Sequence, residues 1–181
     1  MKPYVIAEMG VNFYDTAKKL NINPLEAAKM YIDAAAEAGI DCAKFQSYKA
    51  GTIVSKNSPA YWDLTKEPTK TQYELFLKHD SFGECEYREL CKYTHDKGMD
   101  FTSTPFDYAS ADYLYDMVDF YKISSSDLSN LPFIHHIGAK GKPVFVSVGA
   151  AYLSECDEAI RALQELSLIH ISEPTRLQLI S

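Results

Sequence analysis

The sequence predicts an α/β protein built around a parallel β-sheet. Short runs rich in β-branched and aromatic residues alternate with longer runs of helical periodicity, and this alternation occurs five times before residue 165. Glycines close three of the helical runs shortly before the next β-rich run, at Gly39, Gly98 and Gly141. Helix, glycine and strand in this order are typical of βα units whose strands lie parallel.

The strands and helices are assigned in chain order from these patterns. Five strands are predicted, over residues 4–10, 41–48, 100–106, 120–125 and 143–149. Asn23 is the predicted N-cap of the first helix, with Pro24 in the first turn and Glu26 completing a capping box. Further helices are predicted over residues 83–98, near 110–117 and over 130–141. A capping box of Ser154 and Asp157 predicts the last helix, which runs to about residue 165.

Five βα units fit the first part of a (β/α)₈ barrel or an open doubly wound sheet. A barrel needs about 250 residues, so it would be incomplete in this chain. Neither G-x-G-x-x-G nor G-x-x-x-x-G-K-[ST] follows the first strand, which argues against dinucleotide binding and P-loop phosphate binding. Residues 49–80 are too long for a simple turn: Tyr61, Trp62 and Lys66 favour a lid that faces a substrate, and a surface excursion fits equally well.

Composition limits the classes of partner. The formal net charge of −7 disfavours nucleic acid and anionic membranes, and no run approaches the roughly 20 apolar residues of a membrane span. The four cysteines form no C-x-x-C pair, which favours free thiols in a reducing compartment over a zinc site. We therefore expect a cytoplasmic protein that binds neither nucleic acid nor membrane.

Polar residues recur at the carboxyl ends of the predicted strands, where parallel sheets place binding sites. They are Glu8, Lys44, Gln46, Thr102, Thr104, Lys122, Ser124–Ser126, Asp127 and Ser147. A lysine within an apolar strand costs several kcal/mol unless its charge meets an anion or water. Lys44 and Lys122 therefore predict a pocket for a small polyanion, and the nearby carboxylates and amide suit a polyol such as a sugar.

Five motifs resemble, in order, the strand motifs of the sialic acid synthase family. They are IAEMGVN, AKFQSYK, FTSTPFD, YKISSSD and GKPVFVSVG. The resemblance implies an α/β fold that is an incomplete (β/α)₈ TIM barrel, about the first five βα units, with residues 1–165 forming part of the synthase domain. It also implies condensation of phosphoenolpyruvate with an N-acylated amino sugar, giving a nonulosonic acid and phosphate. The complete parent protein is then expected to be a homodimer, and this fragment inactive.

The resemblance also assigns roles to individual residues. Lys44, Thr104, Lys122, Ser125 and Ser147 match the phosphoenolpyruvate-binding positions, and Gln46 and Asp127 match sugar-facing positions. Glu8 matches a sugar-facing position as well and is the candidate catalytic residue, which orients the aldehyde or handles a proton. Phe13 stands where the family usually has a histidine, and Asp127 replaces a longer glutamate, so the sugar need not be N-acetylmannosamine.

A divalent metal, Mn or Mg, is expected in the complete protein, but the family's two histidine ligands lie on later strands. The histidines of residues 1–165 are predicted to serve surface or helix-capping roles: His79, His95, His135 and His136. Two alternatives stay open. One is a related phosphoenolpyruvate aldol synthase that acts on a phosphorylated aldose, and the other is a non-catalytic barrel that binds sugar or phosphate.

The C-terminal tail is predicted to be non-native. LSLIHISEPTR, from residue 166, resembles the translation of a sequencing-library adaptor, and no glycine or turn separates it from the preceding helix. We therefore exclude residues 166–181 from the predicted domain and do not count His170 as a ligand.

Overall fold

The computed structural model describes residues 2–167 and 178–180. The strands are β1 (Ile6–Gly10), β2 (Cys42–Ser47), β3 (Asp100–Pro105), β4 (Tyr121–Ile123), β5 (Val144–Ser147) and β6 (Gln178–Ile180). The helices are α1 (Phe13–Leu20), α2 (Pro24–Glu37), α3 (Ala50–Ile53), α4 (Gln72–Leu77), α5 (Glu84–Asp96), α6 (Tyr108–Tyr113), α7 (Leu131–Gly138) and α8 (Leu153–Ser167), with a 3₁₀ turn, η1, at Ser125–Asp127. The five predicted strands are confirmed, with bounds that shift by a few residues.

The strands pair in parallel, as predicted. One sheet has the order β1-β2-β3 and the other the order β4-β5-β6. The sheets adjoin between β3 and β4, where the Asp119 backbone N–H donates to the Phe101 carbonyl at 3.0 Å. The Thr102 hydroxyl donates to the Phe120 carbonyl at 2.6 Å across the same junction. The described strands therefore form a nearly continuous parallel layer.

Local sequence signals explain how α2 begins and where the chain turns after it. Asn23 Oδ1 accepts a hydrogen bond from the Leu25 backbone N–H at 2.8 Å, and Glu26 Oε2 accepts one from the Asn23 backbone N–H at 3.4 Å. Gly39 follows the helix with φ +71°, a left-handed conformation that residues with a Cβ adopt at a cost. The predicted capping box and glycine stop are confirmed.

The hydrophobic core lies between the strands and the helices. Phe45 of β2 packs against Phe101 of β3 and Phe13 of α1, with ring centroids 5.8 and 5.9 Å apart, and all three side chains are fully buried. Because side chains alternate along a strand, Lys44 and Gln46 point away from this core. The apolar packing of β2 therefore directs its polar residues to the opposite, inner face of the sheet.

Two helix starts differ from prediction. The capping box of Ser154 and Asp157 is wrong: α8 begins at Leu153, and Glu155 accepts a hydrogen bond from the Tyr152 backbone N–H at 2.7 Å. A glutamate in the first turn reaches back to the N-cap and so fixes an earlier start. Similarly, Asp107 accepts from the Ser110 backbone N–H at 2.7 Å, which starts α6 at Tyr108 rather than near residue 110.

The chain contains a sixth strand that the sequence did not predict. Strand β6 lies parallel to β5, with Gln178 opposite Phe145 and Ile180 opposite Ser147. Backbone groups make this pairing, which covers the edge of β5 opposite β4. His170 lies outside the described residues, and the non-native origin of residues 166–181 stays a prediction. No helix within the described residues is long and apolar enough to cross a membrane.

Candidate active site

A cavity of about 260 Å³ opens on the inner face of the strands. Its lining comes from four strands and consists of Ile6, Glu8, Lys44, Lys122, Phe145 and Ser147. Strand alternation puts Ile6 on the side of Glu8, and Phe145 on the side of Ser147. Four residues singled out from the sequence thus meet in one cavity: Glu8, Lys44, Lys122 and Ser147.

Glu8 and Lys44 form an ion pair across β1 and β2. They are direct partners in the strand register, and Lys44 Nζ contacts Glu8 Oε2. The Lys44 side chain is only 11% exposed, whereas that of Glu8 is 51% exposed. Glu8 therefore keeps one side open to the cavity and to solvent while it neutralises a largely buried ammonium group.

Lys122 enters the same cavity from β4 without a carboxylate of its own among the described residues. Its Nζ donates to the Ile123 carbonyl at 2.7 Å. Burial lowers the pKa of Lys122 to about 8, because the charged form is poorly solvated there. Burial also lowers the pKa of Lys44 to about 8, with repulsion from Lys122 as the second cause. The contact with Glu8 acts in the opposite direction on Lys44, since an ion pair favours the charged lysine.

The balance of charge in the cavity favours an anion. Two amines line it, and Glu8 is the one carboxylate in its lining. A small polyanion would supply the missing negative charge and would raise the pKa of both lysines as it binds. The Ser147 hydroxyl, at the carboxyl end of β5, adds a hydrogen-bond donor to the same space.

Gln46 lies next to Glu8 but outside the cavity lining. The two side chains meet at Gly10: a Cβ built on that residue would lie 3.5 Å from Gln46 Nε2 and 3.5 Å from Glu8 Oε1. A Cβ there would make only ordinary van der Waals contacts, but Gly10 has φ +53°, so the backbone conformation favours glycine at this position. Thr104 is the register partner of Gln46 and is 3% exposed, also outside the lining. Gly10 was not singled out from the sequence, although its place at the end of β1 is a signal.

Ser125 and Asp127 lie on η1, after the carboxyl end of β4 and outside the cavity lining. Ser125 Oγ approaches the end of β5, since a Cβ on Gly149 would come within 3.7 Å of it. Burial raises the pKa of Asp127, and hydrogen bonds from Asn130 and Ser126 partly oppose this. The structure thus puts both residues at the same end of the strands as Ser147, and it leaves their roles as predictions.

Two residues that line the cavity were not predicted from the sequence. Ile6 and Phe145 supply the apolar part of the lining, each two positions before a polar lining residue. Strand alternation from Glu8 and Ser147 could have found them. An apolar residue in a strand is otherwise indistinguishable from a core residue by sequence alone.

Phe13, at the position where the resemblance leads us to expect a histidine, lies in an aromatic cluster. Its side chain is fully buried, and its ring stacks on Phe82 with centroids 4.9 Å apart. Tyr14 packs beside it at 4.4 Å and accepts a hydrogen bond from the Phe82 backbone N–H at 3.0 Å. The first turn of α1 is thus held by an aromatic cluster.

The segment 49–80 is an ordered excursion with its own helices, α3 and α4. Trp62 Nε1 donates to the Glu67 carbonyl at 3.1 Å and the Thr69 carbonyl at 3.2 Å, so its indole is used within the segment. Tyr61 is 80% exposed, and Lys66 is exposed as well. Neither these three residues nor any other part of the segment lines the described cavity, and its role as a lid stays a prediction.

The described histidines do not assemble a metal site. His136 Nε2 lies 2.7 Å from Asp112, His95 Nε2 lies 3.1 Å from Asp119, and His79 Nε2 lies 3.7 Å from Asp15, in three separate surface pairs. Residues 2–165 bring together no group of three or more histidine, cysteine or acidic side chains that could hold an ion. The residues present therefore do not fit the expected divalent metal on their own, and that metal stays an expectation for the complete protein.

Fold and site define a class of protein: a parallel β/α protein with an anion-attracting cavity on the inner face of its strands. A sequence model of the NeuB family matches residues 31–174, which is most of the chain. The chain belongs to the NeuB family.

Named relatives agree with this assignment. An N,N'-diacetyllegionaminic acid synthase from Legionella pneumophila is 35% identical over 163 residues, which are 88% of this chain and 43% of that protein. An enzyme of the same name from Campylobacter jejuni is 32% identical over 180 residues, 93% of this chain and 51% of that protein. The predicted resemblance is confirmed, and the chain spans about half the length of these relatives.

A solved structure agrees with the fold. The N-acetylneuraminic acid (sialic acid) synthetase from Leptospira borgpetersenii, in complex with citrate, matches with a TM-score of 0.74 and 27% sequence identity. The match covers 91% of this chain and 50% of that one. The fold is therefore a partial (β/α)₈ barrel, as predicted.

Proposed function

We propose that the complete parent protein condenses phosphoenolpyruvate with the aldehyde form of an N-acylated amino sugar, releasing phosphate and a nonulosonic acid. The cavity carries this proposal, because Lys44, Lys122 and Glu8 meet there with a surplus of positive charge. Two named relatives are legionaminic acid synthases, which supports the reaction class.

The two lysines have the charge to bind phosphoenolpyruvate. Its carboxylate and phosphate are separated by a few atoms, which suits two amines on different strands of one small cavity. Ser147 can donate its hydroxyl to the same anion, while Ile6 and Phe145 face the apolar methylene end. Held in this way, the enol carbon is oriented before the sugar arrives.

The bond changes follow from the substrates. Carbon 3 of phosphoenolpyruvate attacks the aldehyde carbon of the sugar, and the carbonyl electron pair moves to the aldehyde oxygen. Water then adds to carbon 2, and the tetrahedral intermediate breaks its bond to the phosphate oxygen, leaving a 2-oxo acid and inorganic phosphate. Glu8 is the candidate to orient the aldehyde or to handle a proton, since its carboxylate is half exposed at the cavity.

The sugar is proposed to lie toward the carboxyl ends of the strands. Gln46 is adjacent to Glu8 across Gly10 and can hydrogen-bond a hydroxyl or N-acyl group. Thr104, Ser125 and Asp127 are assigned to the same end as further binding residues. Because Phe13 and Asp127 depart from the family pattern, the sugar should be identified with a panel of 2-acetamido and 2,4-diacetamido sugars.

Phosphate release by the complete parent protein tests this function. We expect release from phosphoenolpyruvate only when a suitable amino sugar is present. Lys44→Met and Lys122→Met should each lower kcat/KM by about two orders of magnitude, because each removes a charge-assisted contact to the anion. Lys140→Met is the matched control, since Lys140 is similarly buried at 13% exposure but pairs with Asp112 away from the cavity. Release without sugar would contradict the proposal.

A further inference from the structure

Lys122 and Lys44 have different partners in the cavity, although both could bind an anion as charged lysines. Lys44 contacts the Glu8 carboxylate, and this ion pair favours the charged form of that lysine. The contact described for Lys122 Nζ is donation to the Ile123 carbonyl at 2.7 Å, which uses one N–H and leaves the lone pair of the neutral amine available. One cavity therefore holds a paired ammonium group on β2 and, on β4, an amine without a counter-ion among the described residues.

We propose that Lys122 is a carbonyl-reactive amine, which forms a Schiff base with a small 2-oxo acid whose carboxylate is held by Lys44. A lysine becomes nucleophilic when it is desolvated or lies near another cation. Lys122 is desolvated by burial, and it shares this cavity with Lys44. The cavity volume of about 260 Å³ accommodates a three-carbon acid. This activity goes beyond the proposed condensation, which uses Lys122 as a charged ligand.

Imine formation between Lys122 and the 2-oxo acid releases one water molecule and needs only proton transfers within the cavity. The Lys122 nitrogen attacks carbon 2 of the oxo acid, a C–N bond forms, and the carbonyl electron pair moves to oxygen. A proton passes from nitrogen to that oxygen to give a carbinolamine, which loses water to form the imine. Glu8, which lines the same cavity and is half exposed, is placed to shuttle this proton.

The pH dependence is set by the groups that face Lys122. Strand β1 contributes Glu8 and β2 contributes Lys44, whereas β5 contributes Phe145 and Ser147, which do not titrate in this range. With its pKa near 8, Lys122 at pH 7 is neutral roughly three hundred times more often than an ordinary lysine with pKa 10.5. Adduct formation should therefore favour the two cavity lysines over ordinary lysines at neutral pH and rise toward pH 8. Between those two, the contact of Lys44 with Glu8 favours Lys122 as the free amine.

The test is reductive trapping with pyruvate and sodium cyanoborohydride on the full 181-residue chain. We expect one reduced pyruvate adduct by intact mass, located by peptide mapping at Lys122. Lys122→Arg keeps the positive charge but is not a nucleophile, and its adduct should fall by about two orders of magnitude. Lys140→Met should trap as the wild type does. Lys122→Met is a second variant, and circular dichroism confirms that each variant folds.

Two further arms make the result decisive. Acetaldehyde has no carboxylate for Lys44 and should label Lys122 at least about tenfold more slowly than pyruvate does. Phosphoenolpyruvate should protect Lys122 if the proposed condensation uses the same cavity. Trapping without protection would contradict the condensation site and leave the reactive amine standing. Labelling spread over exposed lysines, or unchanged in Lys122→Arg, would overturn the reactive amine.

Discussion

Replacing Lys122 with methionine should stabilise the chain while it removes half of the anion site. The pKa of Lys122 lies near 8 instead of 10.5, so its charged form costs about 3 kcal/mol more in the folded chain than in water. Water that enters the cavity reduces this cost. We therefore expect Lys122→Met to raise the free energy of unfolding at pH 7 by about 1–3 kcal/mol.

The sign of the pH dependence follows from the same pKa. Between about pH 8 and 10.5 the unfolded chain keeps a proton on this lysine that the folded chain has lost, so wild-type stability should rise with pH in that window. Lys122→Met should lose this part of the rise, because methionine does not titrate. Below pH 8 both states are protonated, and the difference between variant and wild type should be constant.

Urea unfolding of the chain, followed by circular dichroism from pH 6 to pH 10, measures both effects. Lys140→Met is the matched control. The Lys140 side chain is only 13% exposed, but its Nζ has a carboxylate partner, Asp112 Oδ1, at 2.5 Å. Removing that partnered charge should leave stability unchanged or lower it by about 1 kcal/mol. A Lys122→Met chain that is less stable than wild type at pH 7 would refute the reasoning that the ammonium group is under-compensated.

Three further predictions concern the site and its surroundings. Gly10→Ala should lower stability by about 1–2 kcal/mol in thermal unfolding, because φ +53° is strained for alanine, and an unchanged melting temperature would contradict this. Asp107→Ala removes a buried carboxylate that accepts hydrogen bonds from three donors, Ser110 N–H, Lys49 N–H and Thr52 Oγ1. Urea unfolding should therefore show a free energy of unfolding lower by about 2–4 kcal/mol. A decrease of less than about 1 kcal/mol would contradict this. In the complete parent protein, affinity for phosphoenolpyruvate should fall as pH rises above about 8, because Lys44 and Lys122 lose their protons. Calorimetric titration measures this affinity, and a constant value up to pH 10 would contradict the prediction.

The sequence predicted the polar part of the site because its residues are out of place in buried strands. Lys44 and Lys122 lie in apolar strands, where a charge is costly, and the structure brings both to one cavity. Alternation with Ala43 and Phe45 also gave the face of β2 on which Lys44 lies, since those neighbours are fully buried on the core side. Single polar residues next to apolar ones were the decisive signal.

Other features could not be predicted in the same way. Ile6 and Phe145 line the cavity. The sequence alone does not distinguish an apolar strand residue that faces a pocket from one that faces the core. The ordered conformation of residues 49–80 depends on contacts such as the hydrogen bonds from Trp62 to two backbone carbonyls. Such contacts leave no periodic pattern in the sequence. Strand β6 depends on an open neighbouring edge, which is a property of the assembled sheet.

The most direct test of the central claim is a crystal structure of the complete parent protein with phosphoenolpyruvate bound. We expect the carboxylate and phosphate oxygens to lie within hydrogen-bond distance of Lys44 Nζ and Lys122 Nζ, with the methylene carbon facing Glu8. Phosphoenolpyruvate bound away from these two lysines would contradict the assignment of this cavity.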